Sequence, residues 1–199
     1  MADMSSYSTV SECRSVGRPL TDAFADLYFI NYITTIAADA VPYLHQSPEY
    51  SANTCSFTAK GPVADTLPSL SSFVRTLVIA FKLPRVVMIA SAIYLGRWRL
   101  RHPGAYGPDP SAPYCLVLAS MIIAVKHLYD DPPPNARWVR FLKKSGIHYF
   151  TVESVNAMEI EMLYDLTWNV NMSSADVHRV SEPVLFVLGS ELLNYAQQY

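Results

Sequence analysis

The chain has 199 residues, 51% of them apolar, with 15 basic side chains against 17 acidic ones and a formal net charge of −2. That length and apolar fraction suit one domain with a sizeable core, and the charge balance argues against a broad nucleic-acid footprint. Cys13, Cys55 and Cys115 lie far apart, which excludes a disulfide frame or metal knuckle and suits a reduced intracellular setting, nucleus and cytoplasm.

Residues 1–18 are Ser-rich and weakly patterned, as expected of a mobile tail, and hold no signal-peptide core. An amphipathic helix is expected over Leu20–Ala40, within an N-terminal unit reaching residue 45. Thr21 would cap it, and Phe24, Leu27, Tyr28 and Ile36 would form its apolar stripe. The segment 46–67, rich in Ser, Pro, Asn and Gly, reads as a linker.

Five helical segments are expected between Pro68 and Val170. "SSFVRTLVIAFK" starts at a Ser71 cap, and Pro84 then opens a second helix running to about Arg99. "RHPGAYGPDP" is a loop. Ser111 starts a third helix that continues to about Tyr129, where "DDPPP" stops it. Asn135 would cap a short fourth helix, "ARWVRFLKK", with Gly146 at its end. Thr151 would cap a fifth, in which Val155, Met158, Met162 and Leu166 recur at spacings of three and four. The rest, 171–199, is read as an extension with one helix from about Pro183 to Ala196. Strand alternation is not sustained anywhere. The apolar runs are too short, or too interrupted by charge, to span a membrane.

The third segment differs from its neighbours. From Tyr114 to Val125 its only polar side chain is Ser120, and the run then ends on Lys126 and His127, with Asp130 and Asp131 beyond. A helix apolar on every face must be surrounded, so four amphipathic helices around a buried one is the simplest all-α architecture. Lys126 then has two readings. It is a cation favoured by the helix's C-terminal dipole, or it marks the place where the buried helix faces something outside.

Five helices around a central third one resemble the cyclin box. "LASMIIAVKH" resembles the central helix of that family, and "NAMEIEMLYDLTWNV" its fifth. The spacing K-x-x-x-D-x-x-P-x-N-x-x-W, here Lys126, Asp130, Pro133, Asn135 and Trp138, is similar to the fungal Pcl-type cyclins. The resemblance covers residues 70–170 and implies a single cyclin box (68–170) with an extra N-terminal and a short C-terminal helix. It also implies a function: a non-catalytic subunit that binds and activates a cyclin-dependent kinase of the Pho85/PCTAIRE-like type as a heterodimer, in cell-cycle or morphogenesis control. The kinase-binding set it implies is Lys126 and Glu159 as the contact pair, Asp130 beside them, and the apolar neighbours Met158, Met162, Tyr129, Tyr149 and Phe150. Two features depart from the family. Gly96 stands where many cyclins have an Asp that pairs with an arginine of the first box helix, here Arg75, and Val74, Val78 and Phe81 only loosely match the family's substrate-docking patch.

Each of these residues also has a plainer reading. Glu159 can be a solvated helix residue and Asp130 a turn residue. Trp138 and Phe141 read as core, while Tyr149 and Phe150 fit either core or surface. His45, His102, His127, His148 and His178 share no metal spacing, and no nucleophile–base pair or Gly-rich phosphate loop is visible. No cofactor, metal, small-molecule ligand, nucleic acid or membrane span is expected. The competing functions are a cyclin-fold transcription adaptor binding DNA or polymerase, which normally has two boxes and a basic surface, and an all-α enzyme.

Overall fold

The segment with no polar face becomes the axis of the molecule. In a computed structural model, residues 20–40, 67–104, 110–183 and 186 are described. All regular structure among them is helical: α1 (Leu20–Ala40), α2 (Leu70–Ala80), α3 (Arg85–Arg101), α4 (Ala112–Leu128), α5 (Asn135–Lys144) and α6 (Val152–Asp165). A further helical stretch covers residues 174–183. In α4 every residue from Cys115 to Val125 is buried. It is covered by α1, α2, α3 and α6, and α5 packs on α6. The lone polar side chain, Ser120, bonds back to the Val117 carbonyl at 2.9 Å, so the helix satisfies it internally and leaves its neighbours an apolar surface.

Helix ends follow local chemistry, with some shifts from the sequence expectation. Thr151 caps α6 through a reciprocal box with Ser154. Gly146, at φ +81°, ends the α5 turn in the left-handed region. The α2 cap is Ser69 rather than Ser71, accepting from the Ser72 amide. Thr21 lies inside α1, which already includes Leu20. Asn135 is the first residue of α5 and caps nothing, because Pro134 occupies the cap position and the amide side chain is turned to α6 instead. The C-terminal helix begins well before Pro183, at 174, where Ser173 and Asp176 exchange capping bonds. The expected tail, the linker and the chain beyond 186 lie outside the described residues.

The buried face of α1 is also rotated from the expected stripe. Ala25, Phe29, Ile33 and Ala37 are buried, whereas Leu27 is exposed and Tyr28 and Ile36 are half-buried. The buried face, which also includes Ile30, mixes the small Ala25 and Ala37 with Phe29 and Ile33 and packs on α3, while the Phe24 side chain lies outside the described residues. Arg85 pairs with Asp26 at 3.1 Å and Arg99 with Asp39 at 3.8 Å. Both ends of α1 therefore match the corresponding ends of α3, and the two helices run parallel. Ile33, fully buried in this seam, makes it testable. Ile33→Ala is expected to cost about 2–5 kcal/mol, read from the urea midpoint at constant m-value; a shift under 1 kcal/mol would mean that α1 is an undocked appendage.

Candidate functional site

The C-terminal end of α4 is where the axial helix first meets solvent. Lys126 lies one residue past the buried run and reaches across to Glu159 on α6, with Nζ 2.7 Å from each carboxylate oxygen. The Lys126 side chain is 34% exposed and that of Glu159 13%. Asn135, at the start of α5, donates its amide to Glu159 Oε2 at 2.6 Å and to Asn156 Oδ1 at 2.8 Å. One carboxylate is thus held from two sides, by a charge and by an amide. Side chains from three helices form a single polar cluster at the surface. Glu159 being the less exposed member, the pair is partly shielded from solvent, and its charge-assisted bonds count for more than those of a fully exposed pair.

Exposed apolar side chains stand on the same helix as Glu159 and past the end of α4. Ile160, Tyr164 and Trp168 recur every four residues on the outer side of α6 and beyond it, 50%, 65% and 58% exposed, and Tyr129 stands exposed past the end of α4. The Tyr164 and Trp168 rings meet edge to face, with centroids 5.6 Å apart. Trp168 is aimed by an unusual turn, in which Thr167 (φ +51°) and Trp168 (φ +57°) are both left-handed. A β-branched residue in that region is strained, and the turn is held from several directions. Its amides bond the Tyr164 and Leu163 carbonyls at 2.8 Å, and Arg101 reaches Thr167 Oγ1 at 3.0 Å. Just before the turn, Trp98 donates to Asp165 at 2.7 Å. Just after it, Arg97 grips the Asn169 and Asn171 carbonyls and the Asp176 carboxylate. Tyr94 donates to the Val170 carbonyl at 2.8 Å. Burial pushes its phenol pKa up to about 12, with the Arg97 charge opposing in part, so it stays a neutral donor. The Asp176 carboxyl is held below the usual range, first by the Ser173 hydroxyl and amide and only then by Arg97.

The residues expected at the site fall into three groups. Lys126, Glu159, Asp130 and Tyr129 are together at one end of the molecule and reach solvent, although Asp130 has no ion pair among the described residues. Met158, Met162 and Phe150 are buried. The methionines share the inward stripe of α6 with Val155 and Leu166, and Phe150 packs against Phe73, with ring centroids 5.9 Å apart. Their contribution is to hold α6 in place from below, not to offer contact surface. Tyr149 is half-buried and its hydroxyl bonds Ser111 at 2.7 Å, at the opposite, N-terminal end of α4. The sequence reading passed over Asn135 as a side-chain ligand of Glu159, and Ile160 and Tyr164 as surface. The i, i+4, i+8 recurrence of 160, 164 and 168, opposite the core stripe, was the available signal. Trp138 is core as expected, stacked on Phe81 with centroids 3.8 Å apart. Arg75 is exposed and makes no ion pair among the described residues, and a side chain at Gly96 would meet nothing within 4 Å.

Comparison with known proteins finds three relatives in Saccharomyces cerevisiae. The chain is 28% identical to PHO85 cyclin-1 over 132 residues, 66% of this chain and 46% of that protein. It is 28% identical to PHO85 cyclin-9 over 111 residues, 55% and 35% of the two chains, and 26% identical to PHO85 cyclin-2 over 137 residues, 68% and 43%. The chain therefore spans less than half the length of these relatives. No protein-family model and no solved structure matches it.

The neighbouring residues 149 and 150 separate surface from core. Phe150→Ala is expected to lower stability by about 3–5 kcal/mol, whereas Tyr149→Phe, losing one half-buried hydrogen bond, should cost about 0.5–1.5 kcal/mol. Chemical denaturation of the two variants measures both, and equal costs would contradict the burial of Phe150.

Proposed function

We propose that this chain, related by sequence to the fungal Pcl-type cyclins, is the regulatory subunit of a cyclin-dependent protein kinase. The observation that carries the reading is the Lys126–Glu159 pair. It is already formed in the free chain and partly open to solvent, with Ile160 exposed next to Glu159 in the chain and Tyr129 exposed just past the end of α4. A polar fork with exposed apolar side chains beside it suits protein binding, in which the apolar groups exclude water and the polar ones fix register. The partner proposed is a kinase of the Pho85/PCTAIRE-like type, and the setting is cell-cycle or morphogenesis control in nucleus and cytoplasm.

The mechanism is a population shift. An inactive kinase of this class holds its C-helix rotated outward, so that the glutamate on that helix cannot pair with the ATP-site lysine. The end of α4 and the outer side of α6 would receive the start of that helix. Lys126 offers N–H donors and Glu159 carboxylate lone pairs to backbone groups there, while the exposed side chains of Tyr129 and Ile160 bury area beside them. Docking then favours the conformation in which the kinase ion pair forms, and the chain supplies no reacting group itself. The fork is built before the partner arrives, so less side-chain freedom is lost on binding.

Replacing both fork residues, Lys126→Ala with Glu159→Ala, is expected to weaken kinase binding by about 2 kcal/mol or more with helical circular dichroism unchanged. Wild-type retention of the kinase in a pull-down with the double variant would sink the proposal.

Asp130 lies exposed four residues beyond Lys126, where α4 has given way to the proline-rich turn. We expect its carboxylate to reach an arginine on the kinase activation segment and take the place of an activating phosphate. Asp130→Ala should then lower turnover of the assembled kinase more than it lowers affinity; undiminished turnover at saturating cyclin would return Asp130 to an ordinary turn residue.

A further inference from the structure

Outside α5, every described arginine but Arg75 has a partner. Arg85 meets Asp26, Arg99 meets Asp39, Arg97 and Arg179 share Asp176, and Arg101 meets Thr167. Helix α5 is the exception. Its sequence NARWVRFLKK carries Arg137, Arg140, Lys143 and Lys144 and no acidic residue. All four are exposed, and none of their side chains has a hydrogen bond or ion pair among the described residues. Lys143 and Lys144 lie in the last turn, where the helix dipole favours cations. The Glu153 carboxyl is held below its usual range first by its own backbone amide and then by the Thr151 hydroxyl, with the Lys143 charge adding least. Arg137 has no such explanation. It sits in the first turn, where the dipole disfavours a positive charge and where α5 has no acidic side chain to offset it.

The spacing adds geometry to the charge. Positions 137, 140 and 144 stand at i, i+3 and i+7, on one face and along about 10 Å of helix. The opposite face, Trp138, Val139 and Leu142, is buried in the core, so α5 is fixed in place and has no apolar side left for a lipid bilayer. Asp130 and Asp131 lie exposed just before the helix, so a long polyanion would meet negative charge at that end. A short ligand carrying concentrated negative charge fits. Two guanidinium groups one turn apart suit the oxygens of one phosphate group, which accepts paired N–H bonds that a single carboxylate cannot match in number.

We propose that the exposed face of α5 is a docking strip for a phosphorylated, acidic protein segment, with Arg137 and Arg140 holding the phosphate and Lys144 a following acidic group. The strip goes beyond the kinase-binding reading and is tested on the chain alone. Fluorescence anisotropy would follow a labelled peptide with two phosphoserines among aspartates, beside the same peptide unphosphorylated and the same peptide with aspartate at both serines. Binding of the phosphopeptide is expected. Arg137→Glu with Arg140→Glu should weaken it at least about tenfold, and the milder pair Arg137→Gln with Arg140→Gln should weaken it less, both with unchanged circular dichroism. A charge change elsewhere equal to that of the glutamine pair, Arg75→Glu, should leave binding as it was. The proposal is overturned if the wild-type chain does not bind the phosphopeptide, or if the aspartate or unphosphorylated peptide binds equally well. It is also overturned if Arg75→Glu weakens binding as much as the α5 variants, or if duplex DNA or phosphatidylserine vesicles bind more tightly than the phosphopeptide.

Discussion

A helix with no polar face can be buried on every side, and α4 imposes that condition on the rest of the molecule. Between Cys115 and Val125 it has nothing to offer water, and its one hydroxyl is satisfied within the helix. The surrounding helices must therefore close around it, each lending one apolar face. Polar chemistry is left to the two ends. At the start of α4, Ser111 meets Tyr149, and Tyr114 reaches the Pro68 carbonyl at 2.6 Å, joining the helix to the segments before α2 and before α6. At its close, Lys126 emerges beside α6 and α5. The candidate site is thus placed by burial: it lies where the core stops.

What makes that end more than a helix terminus is the convergence of three chain segments on one carboxylate. Glu159 receives Lys126 from α4 and Asn135 from α5, so the relative position of three helices is written into one cluster of bonds. A lone surface ion pair contributes little, because its side chains lose rotamer freedom to form it. Here that freedom is already restricted by packing and by the Asn135–Asn156 bond. The turn that exposes Trp168 is prepared in a similar way. The turn that carries Trp168 is strained at Thr167 and Trp168, and the bonds from Tyr94, Arg97, Trp98 and Arg101 hold the chain on both sides of it. Strain of this kind persists only where the surroundings over-determine the backbone.

Much of the architecture was legible from residue order alone. Five helices between Pro68 and Val170, the buried third one, the Thr151 cap, the Gly146 stop and the inward stripe of α6 all follow from local rules. Apolar periodicity, proline and glycine act over a few residues, and the chain obeys them there. The pairing of Lys126 with Glu159 was suggested by a family resemblance and is met in the fold at 2.7 Å. No local rule joins two residues 33 positions apart.

Other features were decided only by the tertiary structure. Which side of α1 faces inward was settled by its packing on α3, which buries Phe29, Ile30 and Ile33 together with Ala25 and Ala37 and leaves Leu27 outside. Asn135 has the residue type of a cap, but with Pro134 ahead of it and Glu159 across from it, its amide serves α6 instead. Met158, Met162 and Phe150 are apolar residues near a surface site, and only the direction of α6 against α4 assigns them to the core. By itself the sequence determined the set of helices and the helix that must be buried, because those depend on neighbours along the chain. The faces, the partners of polar side chains and which apolar residues stay exposed depend on neighbours in space, and these exist only once the helices have packed.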